Sequence, residues 1–132
     1  MFTRQAVFVT KRIPLLSRPV VRLNSTYKSI TKLTELKEFQ SSISNGSQLS
    51  VIDFFATWCN PCKAMIPVIS KLIKEHPEVT FYKVDVDESP EIAKHCNVTA
   101  MPTFVFAKDG KLLGTVVGAN PAALEEQIEE LK

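Results

Sequence analysis

Two strand-like runs lie in the middle of the chain, and the first of them is nearly continuously apolar. Residues 49–56 (Leu-Ser-Val-Ile-Asp-Phe-Phe-Ala) have the pattern of a central strand buried on both faces of a sheet, and residues 79–86 predict a second central strand. Between these runs the apolar residues recur at helical spacing. They predict a helix from about Pro61 to Lys74, kinked at Pro67.

Weaker patterns precede the first run. Residues 27–30 alternate like a short strand. Thr34 is placed to cap a helix with apolar residues on one face, and Asn45-Gly46-Ser47 ends that helix.

Turn residues divide the part that follows the second run. Ser89 predicts the cap of a short helix that ends near Cys96. Residues 103–107 and 111–117 are strand-like and flank Lys108-Asp109-Gly110, which is a strong hairpin signal. The hairpin predicts an antiparallel edge of the sheet.

Asn120 and Pro121 predict the cap and first turn of a last helix. Its Leu124, Ile128 and Leu131 share a face that can point to the core. The whole pattern reads βαβαβαββα, which predicts a single α/β domain with a mixed central sheet and helices on both faces.

The first 24 residues have a different composition from the rest of the chain. They hold five of the 16 basic side chains and none of the 14 acids, mixed with apolar residues, Ser and Thr. This composition is typical of a mitochondrial transit peptide, so we expect residues 1–24 to be a leader and residues 25–132 to be the folded domain. Without the leader, the formal charge changes from +2 to −3. A disordered basic tail that binds nucleic acid is the alternative, but no basic or aromatic repeat continues into the folded part.

The motif Trp58-Cys59-Asn60-Pro61-Cys62-Lys63 stands where the first strand passes into a helix. Cys59 and Cys62 are three positions apart, so in a helical first turn their Cβ atoms lie about 5–6 Å apart, within reach of a disulfide. Pro61 suits that turn because its missing N–H is not needed there. Backbone N–H groups then favour the thiolate of Cys59, which makes Cys59 the candidate nucleophile and Cys62 the candidate resolving thiol.

Four motifs in this order resemble the thioredoxin family over about residues 27–132 and, with the leader, its mitochondrial fungal members. They are residues 51–63, 83–87, 99–103 and 117–119. The resemblance implies the thioredoxin fold and a thiol-disulfide oxidoreductase that reduces protein disulfides and contributes to mitochondrial redox homeostasis.

The family also implies a role for individual residues. Cys59 would attack a substrate disulfide, Cys62 would resolve the mixed disulfide, and Asp53 would be a buried proton-transfer group with Lys83 beside it. Pro102 would be cis and face the cysteines. The substrate surface would consist of Trp58, Asn60, Pro61, Met101, Pro102, Gly118 and Ala119.

The expected partners and cofactors follow from the same resemblance. Electrons would come from NADPH through thioredoxin reductase, and the substrates would be disulfide-containing proteins such as peroxiredoxins. The domain would need no metal or bound cofactor, would contact neither nucleic acid nor membrane, and would be a monomer in the mitochondrial matrix. One departure is Asn60, where the family usually has Gly, and this change bears on the reduction potential.

Each candidate residue also has a simpler interpretation. The two motif cysteines could bind zinc, although Cys96, His76 and His95 form no paired ligand motif with them. Asp53 could be a structural carboxylate, Lys83 a surface residue, and Trp58 and Met101 core residues. Cys96 could be a half-buried thiol at a helix end or a thiol regulated by oxidation. We expect His76 and His95 to be solvated.

Two other classes of function are open at this point. A disulfide-forming oxidase or isomerase would use the same cysteine pair, but it would favour a secretory address and a His between the cysteines, and neither is present. A binding module that borrows the fold would tolerate loss of either Cys59 or Cys62, and both are retained.

Overall fold

The computed structural model describes residues 26–44 and 46–132, so the expected leader and Asn45 lie outside the described residues. The elements are α1 (Thr26–Ser29), β1 (Thr31–Lys32), α2 (Leu36–Ile43), β2 (Ser50–Phe55), α3 (Asn60–Ala64), α4 (Ile66–Glu75), β3 (Thr80–Asp85), α5 (Pro90–His95), β4 (Thr103–Lys108), β5 (Lys111–Val117) and α6 (Pro121–Leu131). The predicted α/β order is confirmed, with an extra short helix at the start and one helix in two parts. Within the described residues, no helix combines the length and apolar character that a membrane crossing needs.

The five strands form one mixed sheet in the order β1-β3-β2-β4-β5. Strand β3 pairs parallel with β1 and β2, whereas β4 pairs antiparallel with β2 and β5. Five of the six residues of β2 are buried, which agrees with the nearly continuous apolar run that predicted a central strand. The hairpin β4–β5 forms the antiparallel edge, and its turn residues Asp109 and Gly110 both have positive φ.

Alternation along the strands divides the core into two layers. One layer lies under α4 and α6, and it contains Val51, Phe81, Phe104, Phe106, Leu72, Leu124 and Ile128. The other lies under α2 and α5, and it contains Ile52, Phe54, Val84, Phe39, Ile43 and Ile92. Asp53 follows Val51 by two positions, so its side chain points into the α4 and α6 layer.

The segment before β1 differs from the prediction. Residues 27–30 were expected to form a strand, but Thr26–Ser29 forms the helix α1 and the strand is Thr31–Lys32. A local hydrogen bond closes the helical turn: the Ser29 hydroxyl donates to the Thr26 carbonyl at 3.0 Å. Tyr27 and Ile30 then pack against the core. Four alternating residues were too few to separate a strand from one turn of helix.

Two of the three predicted N-cap side chains do not make the capping hydrogen bond. Glu35, and not Thr34, is the N-cap of α2, and the Thr34 N–H donates to the Glu38 carboxylate instead. Ser89 does occupy the N-cap position of α5, but its hydroxyl donates to the Thr34 carbonyl at 3.1 Å. The cap at Asn120 is confirmed, since its Oδ1 accepts the Ala123 N–H at 3.1 Å.

The helix after the cysteine motif is interrupted, as Pro67 predicted. The break lies at Met65, between α3 and α4, two residues before the proline. Pro67 has no N–H to donate and its ring crowds the preceding turn, so the chain starts a new helix in which Pro67 occupies the first turn.

His76 is buried rather than solvated, with 3 % of its surface exposed. It is the C-cap of α4, and its Nδ1 lies 3.1 Å from the Lys132 Nζ at the end of α6. The prediction that His76 is solvated is therefore wrong, because the end of the last helix packs beside its side chain. His95 is exposed, as expected, and its ring meets Phe39 edge to face at 5.9 Å.

Replacing Asn120 by Ala is expected to lower the free energy of unfolding by about 1 kcal/mol, because the Ala123 N–H loses its acceptor. Urea denaturation of residues 25–132 measures the change. Asn120→Ser keeps a capping oxygen and is the control, expected within about 0.5 kcal/mol of the unchanged protein. Equal losses in the two variants would contradict a capping role.

Candidate active site

The two motif cysteines meet at the start of α3. Cys59 is the N-cap residue with an extended backbone, Cys62 lies in the first turn, and their Cα atoms are 5.3 Å apart in a closed disulfide. The Cys62 N–H donates to the Cys59 Sγ at 3.1 Å. A backbone donor of this kind stabilises negative charge on the Cys59 sulfur once the disulfide opens.

Exposure does not distinguish the two sulfurs. Cys59 and Cys62 are 4 % and 5 % exposed, and together with Ala56 they form a small buried cluster against which Met101 packs. The hydrogen bond from the Cys62 N–H to the Cys59 Sγ is therefore the feature that makes the two cysteines different.

Trp58 projects from this site and is 64 % exposed. Its Nε1–H donates to the Asp87 carboxylate at 2.9 Å, which holds the large ring beside the cysteines. Sequence reasoning missed Asp87 as a site residue because the two positions are 29 apart and no local pattern joins them. The simpler interpretation of Trp58 as a core residue is wrong.

Two further loops complete the surface around the cysteines. The Met101–Pro102 peptide bond is cis, as the resemblance implied. The Gly118 N–H donates to the Pro102 carbonyl at 2.8 Å, and Gly118 has φ +99°, a conformation that glycine adopts without strain. Ala119 is exposed next to it, as are Asn60 and Pro61 on the motif itself.

Asp53 is 4 % exposed and lies on the central strand β2, which comes shortly before the motif in the chain. Its Oδ2 accepts a hydrogen bond from the Tyr27 hydroxyl at 2.9 Å. Burial raises the pKa of Asp53 to about 7, although the Tyr27 hydrogen bond and the charge of Lys83 both act to lower it. A carboxyl group in this state can take up and release a proton near neutral pH.

Lys83 is the register partner of Asp53 on the adjacent parallel strand. Within the described residues it forms no ion pair with Asp53, and its Nζ donates to the Tyr27 carbonyl at 3.3 Å. The same Nζ lies 4.7 Å from the centre of the Tyr27 ring. Burial lowers the pKa of Lys83, the charge of Lys32 adds to that effect, and Asp53 opposes it.

Tyr27 was not predicted as a site residue. Sequence reasoning placed it in a short strand, and nothing in its surroundings signalled a contact with a residue 26 positions away. Its ring borders an apolar cavity of about 260 Å³ that also touches Cys62. The remaining lining residues are Phe55, Ala56, Thr57, Lys63 and Ile66. Tyr27 thus donates a hydrogen bond to the Asp53 carboxyl group and borders the same cavity as Cys62.

Cys96 is half-buried at the C-cap of α5, and it packs against a different core cluster from the one that contains Cys59 and Cys62. Burial raises the pKa of its thiol to about 11. The thiol therefore stays protonated near neutral pH, and a protonated thiol is a poor nucleophile.

Asp53→Asn is expected to stabilise the protein above pH 7. A folded-state pKa of about 7, against an ordinary value of 3.8, means that the folded protein binds this proton more tightly than the unfolded chain. The contribution of this group to stability is therefore fully present below about pH 4 and is lost as pH rises from there to the folded-state pKa of about 7. The variant carries no charge at position 53. Its advantage over the unchanged protein in free energy of unfolding is therefore expected to grow from near zero at pH 4 to about 4 kcal/mol at pH 8.

Urea denaturation of the oxidised domain at several pH values measures this advantage. Asp109→Asn, in the exposed turn of the hairpin, is the matched control for loss of one carboxylate. An advantage that stays constant between pH 4 and pH 8 would contradict the raised pKa of Asp53.

Comparison with known proteins agrees with this geometry. The family described as Thioredoxin matches residues 30–130. Mitochondrial Thioredoxin-3 of Saccharomyces cerevisiae is 60% identical over 111 residues, which is 84% of this chain and 87% of that protein. Thioredoxin-2 of the same yeast is 46% identical over 75% of this chain and 95% of its own length.

Solved structures show the same similarity in three dimensions. The crystal structure of oxidised mitochondrial thioredoxin 3 from Saccharomyces cerevisiae has a TM-score of 0.78 and 60% identity, over 81% of this chain and all of that one. A chain from a study of thiol resolution in yeast mitochondrial 1-Cys peroxiredoxin by the glutathione and thioredoxin systems has the same TM-score of 0.78 and 59% identity, with the same coverage. The protein thus belongs to the thioredoxin family of oxidoreductases, which reduce protein disulfides through a cysteine pair, here Cys59 and Cys62.

Proposed function

We propose that Cys59 is the attacking thiolate and Cys62 the resolving thiol of this reductase. The hydrogen bond from the Cys62 N–H to the Cys59 Sγ carries this assignment, because it stabilises the thiolate of Cys59, whereas no donor among residues 26–44 and 46–132 bonds to the Cys62 sulfur. Cys59 attacks one sulfur of a substrate disulfide, forms a mixed disulfide and releases the other substrate sulfur as a thiolate. The Cys62 thiolate then attacks the Cys59 sulfur and breaks its bond to the substrate. The substrate leaves as a dithiol, reduced by two electrons, and the Cys59–Cys62 disulfide forms.

Asp53 accepts the proton that Cys62 loses in the second step. Three observations support this role: the carboxyl group is buried, its pKa is about 7, and its partner Tyr27 borders the cavity that touches Cys62. Lys83 supports the proton transfer by its charge, which favours the ionised carboxylate before the proton arrives.

The substrate binds across the surface around the cysteines. This surface consists of Trp58, Asn60, Pro61, Met101, Gly118 and Ala119, together with Pro102, which is itself buried. Trp58 and Met101 offer apolar area to a bound peptide, and the three loops that carry these residues are joined by hydrogen bonds or by packing. A shallow apolar surface of this kind accepts many partner sequences, since it contacts whatever chain flanks the substrate disulfide.

The electron donor and the substrates are proteins. Thioredoxin reductase reduces the Cys59–Cys62 disulfide with electrons from NADPH, and peroxiredoxins are among the substrates. Similarity to a chain studied with yeast mitochondrial 1-Cys peroxiredoxin supports the second assignment. The domain works as a monomer with no bound cofactor, since both redox sulfurs are its own.

The place of action is the mitochondrial matrix. Residues 1–24 have the basic, acid-free composition of a matrix-targeting leader, and the relative that is 60% identical is a mitochondrial thioredoxin. Reduction of protein disulfides in that compartment contributes to its redox homeostasis.

Cys59→Ser and Cys62→Ser are each expected to reduce insulin disulfide reduction to the rate of dithiothreitol alone, because neither variant completes the exchange. The assay uses residues 25–132 with dithiothreitol as reductant and follows insulin precipitation by turbidity. Cys96→Ser is the matched control and is expected to keep full activity, since Cys96 lies outside the site.

The two variants also separate the roles of the cysteines. Cys62→Ser is expected to form a stable mixed disulfide with a substrate, visible on a non-reducing gel, whereas Cys59→Ser is not. A mixed disulfide formed only by Cys59→Ser would reverse the assignment, and activity in either variant would argue for a binding module instead.

Asn60→Gly is expected to shift the reduction potential by a measurable amount of up to about 30 mV, which corresponds to a tenfold change in the equilibrium constant for a two-electron couple. Asn60 is the exposed first residue of α3, so it affects the thiolate of Cys59 only through the helix terminus. Equilibration of both proteins in a series of glutathione buffers measures the two midpoints. Coincident midpoints would show that Asn60 does not influence the redox balance.

A further inference from the structure

Tyr27 is the direct hydrogen-bond partner of Asp53. Its hydroxyl donates to the Asp53 Oδ2 at 2.9 Å, and within the described residues Oδ1 has no hydrogen-bond partner. We propose that Tyr27 is a positioning residue that fixes the Asp53 carboxyl group and sets how readily it takes the Cys62 proton. This inference rests on the proposed role of Asp53 in the reduction, and it makes the short helix α1 part of the catalytic apparatus.

The hydroxyl of Tyr27 acts as a fixed donor. Burial and the neighbouring Asp53 both raise the pKa of Tyr27, so the phenol keeps its proton throughout the working pH range. A donor that never ionises stabilises the carboxylate form of Asp53 and opposes the effect of burial. Removal of the hydroxyl alone therefore favours the protonated carboxyl.

Tyr27 is itself held by a charged group. Lys83 donates to its carbonyl at 3.3 Å, and the Lys83 ammonium lies 4.7 Å from the centre of its ring. Helix α1 also packs against α4, where Tyr27 adds to the apolar layer beneath that helix. Position and orientation of the hydroxyl are thus fixed from two sides, as a positioning residue requires.

The other groups around Asp53 leave few competing causes for a change in its pKa. Lys83 faces it from β3, and Lys32 on β1 acts through Lys83. Its register partner on β4 is Phe104, which has no proton to exchange. From α3, Cys62 and Lys63 border the same cavity as Tyr27.

Tyr27 also stands close to the proposed end of the leader. If the leader ends at residue 24, Tyr27 is the third residue of the mature chain. Proteolytic trimming by a few more residues would remove a group that acts on the active-site acid, while leaving every strand of the sheet in place.

The test is Tyr27→Phe, which keeps the ring and its packing and deletes only the hydroxyl. Two readouts are measured on the reduced domain of residues 25–132. Carboxyl carbon NMR gives the titration midpoint of Asp53, and single-turnover oxidation by insulin gives the pH profile of the reaction. We expect the Asp53 midpoint to rise by about 1 pH unit in the variant, and the acid limb of the rate profile to rise with it.

Two further variants serve as controls. Tyr82→Phe removes the hydroxyl of the second tyrosine in the chain, which makes no hydrogen bond among residues 26–44 and 46–132, and neither readout is expected to move. In an Asp53→Asn background, Tyr27→Phe is expected to change the rate profile no further, because the group on which Tyr27 acts is gone.

The outcomes distinguish the inference from the function on which it rests. An unchanged Asp53 midpoint in Tyr27→Phe overturns the positioning role, even if Asp53→Asn alters the rate profile. A raised midpoint with an unchanged rate profile overturns the link to catalysis. If Asp53→Asn itself leaves the rate profile unchanged, the proton-acceptor role of Asp53 fails, and the role of Tyr27 in the reaction fails with it.

Discussion

The pairing of β2 with strands on both sides is the constraint on which this structure depends. Strands β3 and β4 pair with the backbone N–H and carbonyl groups of β2, and both faces of β2 are covered. A shift of β2 would therefore disrupt both core layers. Its carboxyl end therefore delivers Cys59 and Cys62 at a fixed point. The same register places the buried Asp53 opposite the partly buried Lys83 on β3.

Burying the carboxyl group of Asp53 costs free energy. An apolar residue at position 53 would pack in this layer without the penalty of burying a charge. Burial instead moves the pKa of Asp53 into the neutral range, where Tyr27 and Lys83 adjust it in the opposite direction. The pKa of Asp53 thus depends on burial, on the Tyr27 hydrogen bond and on the Lys83 charge together, rather than on any single contact.

Sequence patterns predicted the elements that are long or have strong local signals. The two central strands, the hairpin and the cap at Asn120 were recovered because apolar runs, an Asp-Gly turn and an N-cap side chain each act locally. Contacts between distant residues were not recovered. The pairing of Trp58 with Asp87, the burial of His76 and the contact of Tyr27 with Asp53 depend on how complete helices pack, and a four-residue helix leaves almost no periodic signal. The pairing of Cys59 with Cys62 was predictable because their spacing alone brings the two Cα atoms within reach of a disulfide.

The 5.3 Å between the Cα atoms of Cys59 and Cys62 determines how little the backbone must move when the disulfide opens. Because both residues lie in the same helical turn, rotation of the two side chains is enough to separate the sulfurs, and the backbone around them can remain in place. An electron donor and an electron acceptor therefore meet nearly the same shape. The direction of electron flow is then decided by the relative potentials of the partners and not by a change in the surface that they bind.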